Sequence, residues 1–294
     1  MRFIATRDLE EFAANVEGFL AARLDRHVLA TVLWHARRGR FDADPPLCAY
    51  CLDAEERVCA AALRTPPAPL LASELDDALA ATLIERWLPE DPDVPGVVAL
   101  SSTARAIAAA WEHATGRQSR CRMREAMYEL RAVSDPPVPA PGELRLATAA
   151  NRELLIEWEQ LFVVEAGVVV VGDAQQLVDR RLRNRSQYLW HADGPVSTLV
   201  LSPMIADTVR IGPVYTPPPH RRRGYAGSAV AAACRLALAG GAERCALFAD
   251  LDNPTSNRVY LSVGFSAIAD WEEHAFGLPQ DPPESGRLSA ARSR

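Results

Sequence analysis

The segment with the clearest chemistry is an arginine-rich turn at residues 221–228, which reads Arg-Arg-Arg-Gly-Tyr-Ala-Gly-Ser. A strand pattern ends at the prolines 217–219, and a helix of small residues follows the turn. Backbone N–H groups at a helix start are unpaired and the helix dipole favours negative charge there, so such a turn can bind an anion. Gly224 and Gly227 allow close backbone approach, and the arginines supply charge for a phosphate. The turn therefore predicts a phosphate site.

Two common phosphate-binding motifs do not fit this turn. A P-loop requires a lysine, and all 32 basic residues of the chain are arginine. A Rossmann turn requires another glycine spacing inside a parallel βαβ unit, which the flanking pattern lacks. A solvated basic turn that only caps a helix is the remaining alternative. The unpaired-looking strand edge before the turn and the small-residue helix after it favour the phosphate site.

A second motif follows the next strand pattern, where the spacing Asn-x3-Asn-x2-Tyr-x3-Gly-Phe runs from Asn253 to Phe265. Asn253, Asn257 and Tyr260 are four and three residues apart, so they can share one face of a helix. A tyrosine at this position is also typical of an ordinary amphipathic core residue with its hydroxyl at the edge.

Together, the two motifs resemble the GNAT superfamily of acyl-CoA-dependent N-acetyltransferases. Arg221-x-x-Gly224-x-Ala226 matches that family's pyrophosphate loop, and the order of elements over 142–276 fits as well. The resemblance implies a V-shaped cleft between splayed strands that binds acetyl-CoA, in a reaction that needs no metal. The cofactor-binding residues that it implies are Val214, Tyr215, Thr216, Arg221, Arg222, Arg223, Gly224, Tyr225, Ala226, Gly227, Ser228, Asn253 and Asn257.

The resemblance also implies how these residues act. Residues 214–216 would pair with the pantetheine arm, and the amides of 222–227 would hold the pyrophosphate. A backbone N–H near Tyr215 would stabilise the negative charge that develops on the thioester oxygen. Tyr260 would act as general acid toward the leaving thiolate, because the enzymes that this chain resembles place a tyrosine there.

The general base is less well defined by the sequence. Glu165 ends the first long helix of this half, and it is our candidate. Asp250, Asp252 and His191 are alternatives for which ordinary solvated or hydrogen-bonded roles suffice. Base catalysis through water would leave no signal in the sequence.

The chain divides at residues 133–143, where four prolines and a glycine interrupt any helix or central strand. We expect one domain at 1–135, an acetyl-CoA-binding domain at 142–278 and a loose polar tail at 279–294. In each half the patterns predict a helix pair, three antiparallel strands, a helix, a strand, a helix and closing strands. The predicted fold class is therefore α/β with an α+β mixed sheet, built as two tandem units. The resemblance implies that these units are GNAT-like, with mostly antiparallel sheets flanked by helices.

The first half lacks the arginine-rich turn. Its corresponding stretch at 63–75 has no such loop, and Ser73 is the expected N-cap of the following helix. Glu74, Asp76 and Asp77 place negative charge at that helix start, where it would repel a diphosphate. We therefore expect a degenerate copy that supports the active half and helps to wall the acceptor pocket.

Composition bounds the partners and the location. The 294-residue chain has a formal net charge of -6, which disfavours nucleic acid and anionic membranes as partners. The N-terminus has acidic residues where a signal peptide has an apolar core, and no apolar run is long enough to span a membrane. Cys48 and Cys51 form the single Cys-x-x-Cys pair and are expected as small buried strand residues, not as zinc ligands. We expect a cytoplasmic protein, and the use of arginine alone is typical of a bacterial source.

The leading functional hypothesis is an N-acetyltransferase that moves an acetyl group from acetyl-CoA to a primary amine by direct attack in a ternary complex. The alternative is a non-catalytic acyl-CoA-binding or sensing module, and Tyr260 favours catalysis. The acceptor is a small-molecule or peptide amine, for which aminoglycosides, amino acids, polyamines and protein N-termini all fit. The tandem arrangement is compatible with a monomer or a homodimer.

Overall fold

The computed structural model describes residues 1–39, 45–167 and 173–277. The predicted loose tail at 279–294 lies outside these ranges. The helices and strands of the first half are, in chain order, β1 (Arg2–Thr6), α1 (Leu9–Ala21), α2 (His27–Ala36), β2 (Leu47–Leu52), β3 (Val58–Arg64), β4 (Leu70–Ala72), α3 (Asp77–Trp87), β5 (Gly96–Leu100), α4 (Ser101–Thr115) and β6 (Ser119–Leu130).

The second half repeats the same order of elements. They are β7 (Glu143–Leu146), α5 (Arg152–Ala166), α6 (Ala174–Arg183), β8 (Gln187–His191), β9 (Pro195–Leu201), β10 (Thr208–Tyr215), α7 (Tyr225–Ala239), β11 (Arg244–Asp250), α8 (Pro254–Val263) and β12 (Ser266–Phe276). The predicted repeat is therefore present in the structure. The pattern did not predict β1, because five residues alternate too briefly to show a period.

The strands form one mixed sheet in the order β1-β2-β3-β4-β5-β12-β6-β11-β10-β9-β8-β7. Neighbouring strands are antiparallel except for β4 with β5 and β10 with β11. This arrangement confirms the predicted α/β class with a mostly antiparallel mixed sheet. The two parallel pairs lie at equivalent positions in the two halves.

The two halves exchange their last strands. In the sheet order, β12 of the second half lies between β5 and β6, and β6 of the first half lies between β11 and β12. Each half therefore completes its sheet with a strand from the other half. Residues 1–135 and 142–278 share one continuous sheet, and their division into separate domains stays a prediction.

Helices cover both faces of the central strands. On β6, Ala126, Tyr128 and Leu130 belong to the core under α7. The alternate residue Met127 instead packs with Val28 of α2, on the opposite face. Because successive strand residues point to opposite faces, the odd-numbered residues of this part of β6 lie toward the α2 side.

Local capping sets the helix starts and corrects one prediction. The Asp8, Asp76 and Asp173 side chains accept backbone N–H groups at the N-termini of α1, α3 and α6. The expected cap Ser73 is wrong, since its hydroxyl accepts a hydrogen bond from the Ala61 N–H at 3.0 Å and the helix starts later. Asp76 has the better position because its carboxylate reaches the Leu79 N–H at 2.8 Å.

Cys48 and Cys51 both lie buried on β2, in agreement with their prediction as small core residues. Burial raises the pKa of the Cys48 thiol to about 12, so the thiol stays protonated.

In the ranges that the structure describes, no helix combines the length and the apolar character that crossing a membrane requires.

Candidate active site

The candidate site begins where β10 and β11 separate. These two parallel strands pair only between residues 208–210 and 244–246. Further along, β10 keeps its pairing with β9 at Val214 and Tyr215, so its other edge faces β11 across an unpaired gap. An extended ligand can pair with the free N–H and C=O groups of that edge. The geometry agrees with the unpaired edge expected for this segment.

The predicted phosphate turn lies between this strand edge and α7. Gly224 is the N-cap of α7 with a φ of 79°, and Arg222 has a φ of 61°. Among the residues that the structure describes, no group accepts a hydrogen bond from the N–H groups of 222–227, and the side chains of 221–223 are exposed. Free N–H groups at a helix start, next to exposed arginines, form a cradle that fits a diphosphate.

The proline-rich segment between the halves packs against this turn. A Cβ at Gly224 would lie 2.5 Å from the Val138 carbonyl oxygen, so only glycine allows this approach. The Ala140 N–H donates to the Ser228 hydroxyl at 2.9 Å. Ser228 is therefore bonded to the linker, whereas the sequence predicted a cofactor contact for it. Sequence reasoning treated the linker only as a boundary, because a proline-rich composition gives no contact partner.

Glu165, Tyr215 and Arg221 form a polar cluster at the base of the turn. The Arg221 guanidinium forms a salt bridge with Glu165, and its Nε donates to the Thr216 carbonyl at 2.8 Å. The Tyr215 hydroxyl donates to Glu165 Oε1 at 2.9 Å. The hydrogen bond from Arg221 lowers the pKa of Glu165, while burial and then the bond to Glu165 raise the pKa of Tyr215 to about 12. These contacts favour an anchoring role for Glu165, and its role as base stays a prediction.

The other predicted base candidates are held by ordinary contacts. Asp250 Oδ1 accepts the Asp252 N–H at 2.8 Å, and Asp252 forms a salt bridge with Arg124 at 3.2 Å. His191 ends β8, where its Nδ1 lies 3.3 Å from the Ala192 carbonyl oxygen. Of these three, only Asp250 lies at the gap, at the end of β11.

The two asparagines of the second motif organise the start of α8. Asn253 Oδ1 accepts the Ser256 N–H at 3.1 Å as the N-cap. The Asn257 Nδ2 group donates to the Asp250 and Asn253 carbonyls, and its Oδ1 accepts from the Tyr128 hydroxyl at 3.0 Å. Both ends of the Asn257 amide are thus engaged within the protein. Their expected cofactor contacts stay predictions.

Tyr260 lies on α8, three residues after Asn257, and its role as general acid stays a prediction. Its ring packs against Tyr128 and Phe265, with centroid distances of 6.3 and 6.1 Å. Burial, and to a smaller degree Tyr128, raise the pKa of Tyr260 to about 12. The phenol therefore carries its proton at neutral pH and can donate it. Sequence reasoning missed Tyr128, because this residue arrives on the exchanged strand from the other half.

One group within the described ranges has metal-ligand chemistry. Potential ligand atoms of Cys121, Glu272 and His274 lie within 4.8 Å of one another. The Glu272 carboxylate already lies 2.8 Å from His274 Nε2. It also accepts a hydrogen bond from Arg105 Nε at 3.0 Å. Because arginine stays charged, it repels a second cation at this carboxylate. The group is best described as an ion-pair network across the exchanged strands.

Comparison with known proteins identifies the fold and the second half. Residues 145–265 match the model of the acetyltransferase (GNAT) family. No curated protein is similar enough in sequence to count as a relative. Residues 145–265 thus resemble a GNAT domain. A GNAT acetyltransferase from Colwellia psychrerythraea matches 95% of this chain and 100% of its own, at 9% identity and a TM-score of 0.58.

Two further solved structures extend the GNAT fold across most of the chain. A GCN5-related N-acetyltransferase from Sphaerobacter thermophilus is 14% identical over 93% of this chain and 95% of its own, with a TM-score of 0.58. A tandem GNAT protein from the clavulanic acid biosynthesis pathway is 16% identical over 95% of this chain and 99% of its own, with a TM-score of 0.56. At these identities the likeness shows the fold alone. The chain thus has a tandem GNAT fold, as the repeat and the resemblance together implied.

Proposed function

We propose that the protein transfers an acetyl group from acetyl-CoA to a primary amine by direct attack in a ternary complex. The observation that carries this proposal is the adjacency of two binding features, the edge of β10 at Val214 and Tyr215 that β11 leaves unpaired and the free amides at 222–227. An extended arm that ends in a diphosphate would use both at once. Acetyl-CoA supplies an activated thioester to this gap, and acyl transfer is the chemistry of the GNAT family in general.

Within this proposal, each group of the chain has a specific task. The amides of 222–227 and the arginines Arg222 and Arg223 bind the pyrophosphate. A backbone N–H near Tyr215 donates to the thioester oxygen as negative charge develops there. Tyr260 gives its phenolic proton to the leaving sulfur, and its raised pKa keeps that proton available.

An acceptor panel with purified protein tests the proposal. The panel contains putrescine, glucosamine, kanamycin, glycine and a peptide with a free N-terminus, and thiol release from acetyl-CoA is followed with each. We expect amine-dependent thiol release with at least one acceptor. Binding of acetyl-CoA without thiol release would support the non-catalytic acyl-CoA-binding module instead.

Calorimetry with acetyl-CoA tests the asymmetry of the two halves. We expect one mole bound per chain, because Asp76 and Asp77 occupy the start of α3, where the second half has free amides and arginines. Their carboxylates would repel a diphosphate. Two moles bound per chain would contradict the prediction that the first half is a degenerate copy without an acetyl-CoA site.

The substitution Glu165→Gln separates an anchor from a base. As an anchor, Glu165 holds Arg221 and Tyr215 through partly exposed contacts, so we expect acetyl-CoA to bind about fivefold more weakly, the equivalent of up to about 1 kcal/mol, with kcat nearly unchanged. A general base would instead cost about 10²-fold in kcat. Calorimetry and steady-state kinetics measure the two effects. Glu157→Gln is the control, since this exposed glutamate lies on the same helix.

A further inference from the structure

Glu125 lies on β6, the strand next to β11, and this strand comes from the first half of the chain. Glu125 of β6 is opposite Asp250, the last residue of β11, and β11 borders the gap. Met127, two residues away, faces α2, so Glu125 lies on that same face. Tyr128, on the opposite face of β6, packs against Tyr260. The exchanged strand therefore presents Glu125 on one face of the sheet and Tyr128 on the other.

We propose, on the basis of the function proposed above, that Glu125 is the general base that accepts a proton from the acceptor ammonium group. Tyr260 lies on the α8 side of the sheet, and Glu125 lies on the α2 side. An acid for the leaving sulfur and a base for the attacking nitrogen are thus placed on opposite faces of the sheet. In the described part of the chain, no hydrogen bond or salt bridge engages the Glu125 carboxyl, so its oxygens are available.

The charges around Glu125 suit a base at neutral pH. Asp250 on β11 and Glu273 on β12 repel its ionised form, and Arg210 on β10 attracts it. Burial is the largest effect, and together these influences raise the pKa of Glu125 to about 7. His27 of α2 faces Arg210 and stays neutral, because burial and then Arg210 lower its pKa to about 4. The acidic neighbours also favour a cationic amine over an anionic one.

The proton and bond changes balance without another reactant. Ionised Glu125 takes one proton from the ammonium group, and the neutral amine then forms a C–N bond with the thioester carbonyl carbon. The C–S bond breaks, and the sulfur takes the Tyr260 proton. The second nitrogen proton restores the phenol through solvent, and Glu125 returns its own proton to solvent. The sum is acetyl-CoA and an ammonium ion giving an acetamide, free thiol and one proton.

The pH profile of Glu125→Gln tests this role, with the fastest acceptor of the panel as the probe. For the wild type, kcat/KM should rise about tenfold per pH unit below about 7 and then level off, because the base must be ionised while the amine is still protonated. In the variant we expect kcat/KM to fall about 10²-fold at pH 8. The break near 7 should also disappear, and the rise should continue to the pKa of the amine itself.

Two further variants make the profile specific. Glu129→Gln is the matched control, because Glu129 lies on the same strand and face but is paired with Arg131 at 2.9 Å and Arg244 at 3.3 Å. It should leave the break in place. Glu273→Gln removes a repelling charge, so it should move the break to lower pH. An unmoved break in Glu273→Gln would overturn the environment argued for Glu125.

The outcomes separate this inference from the function on which it rests. Thiol release by the wild type with an unchanged profile in Glu125→Gln would overturn the base assignment alone. No thiol release with any amine would overturn the proposed function. A readout that needs no turnover is the carboxyl ¹³C titration of glutamate-labelled protein. One resonance should titrate near 7 and be absent from Glu125→Gln, and a Glu125 resonance that titrates near 4 would overturn the inference.

Discussion

Replacing Tyr260 with phenylalanine should lower kcat by about 10²-fold and leave the acetyl-CoA dissociation constant nearly unchanged. The ring would keep its packing against Tyr128 and Phe265, so only the hydroxyl is lost. Without a positioned proton, the sulfur must leave as a thiolate, which raises the barrier of that step. Steady-state thiol release measures kcat, and calorimetry measures binding.

The pH dependence adds a second test of Tyr260. Its pKa is raised to about 12, so the protonated phenol predominates throughout pH 7 to about 10, and kcat of the wild type should not fall at the alkaline end from this group. Tyr188→Phe is the control, because this tyrosine belongs to the same half but lies on β8. An unchanged kcat in Tyr260→Phe would remove the acid assignment.

The sequence predicted what depends on local pattern. Apart from β1, the order of elements in both halves followed from periodicity, and the turn at 221–228 followed from glycine, arginine and a helix start, which act over a few residues. The second motif likewise placed Tyr260 on α8, because helical spacing is fixed within one turn. Each of these features is encoded by neighbours along the chain.

The exchange of strands could not be predicted in the same way. Whether β6 pairs with β5 of its own half or inserts between β11 and β12 depends on strands more than a hundred residues away in the chain. The alternation of apolar residues along β6 is the same in both arrangements. Glu125 and Tyr128 therefore read as ordinary strand residues of the first half. Their place next to β11 exists only after the halves have assembled.

The contact partners of charged residues could not be predicted from the sequence either. Arg221 was expected to face phosphate, but its guanidinium is bonded to Glu165 and to the Thr216 carbonyl. A long side chain can reach several partners, and the tertiary structure determines which one it contacts. Sequence spacing alone therefore does not determine the partner. The exposed arginines Arg222 and Arg223 keep the expected position for an anion.

Reversing both charges in Arg222→Glu/Arg223→Glu should weaken acetyl-CoA binding by about 10²-fold or more, because charge-assisted bonds to phosphate contribute about 1.5–3 kcal/mol each and the new carboxylates repel. Both side chains are exposed, and none of the hydrogen bonds or salt bridges among the described residues involves them, so the melting temperature should change little. Calorimetry at two salt concentrations measures the effect. The wild type should lose affinity with added salt, and the variant should lose less or gain.

The matched control is Arg86→Glu, which reverses an exposed arginine in the last turn of α3 of the first half. It changes the net charge in the same direction but lies on a helix that starts with the acidic residues Asp76 and Asp77. Its acetyl-CoA affinity should equal that of the wild type after the general charge effect is allowed for, since exposed charges are screened within about 10 Å at 0.1 M salt. If the double variant binds acetyl-CoA as Arg86→Glu does, the turn does not hold the diphosphate. The acyl-CoA assignment of the second half would then lose its main support.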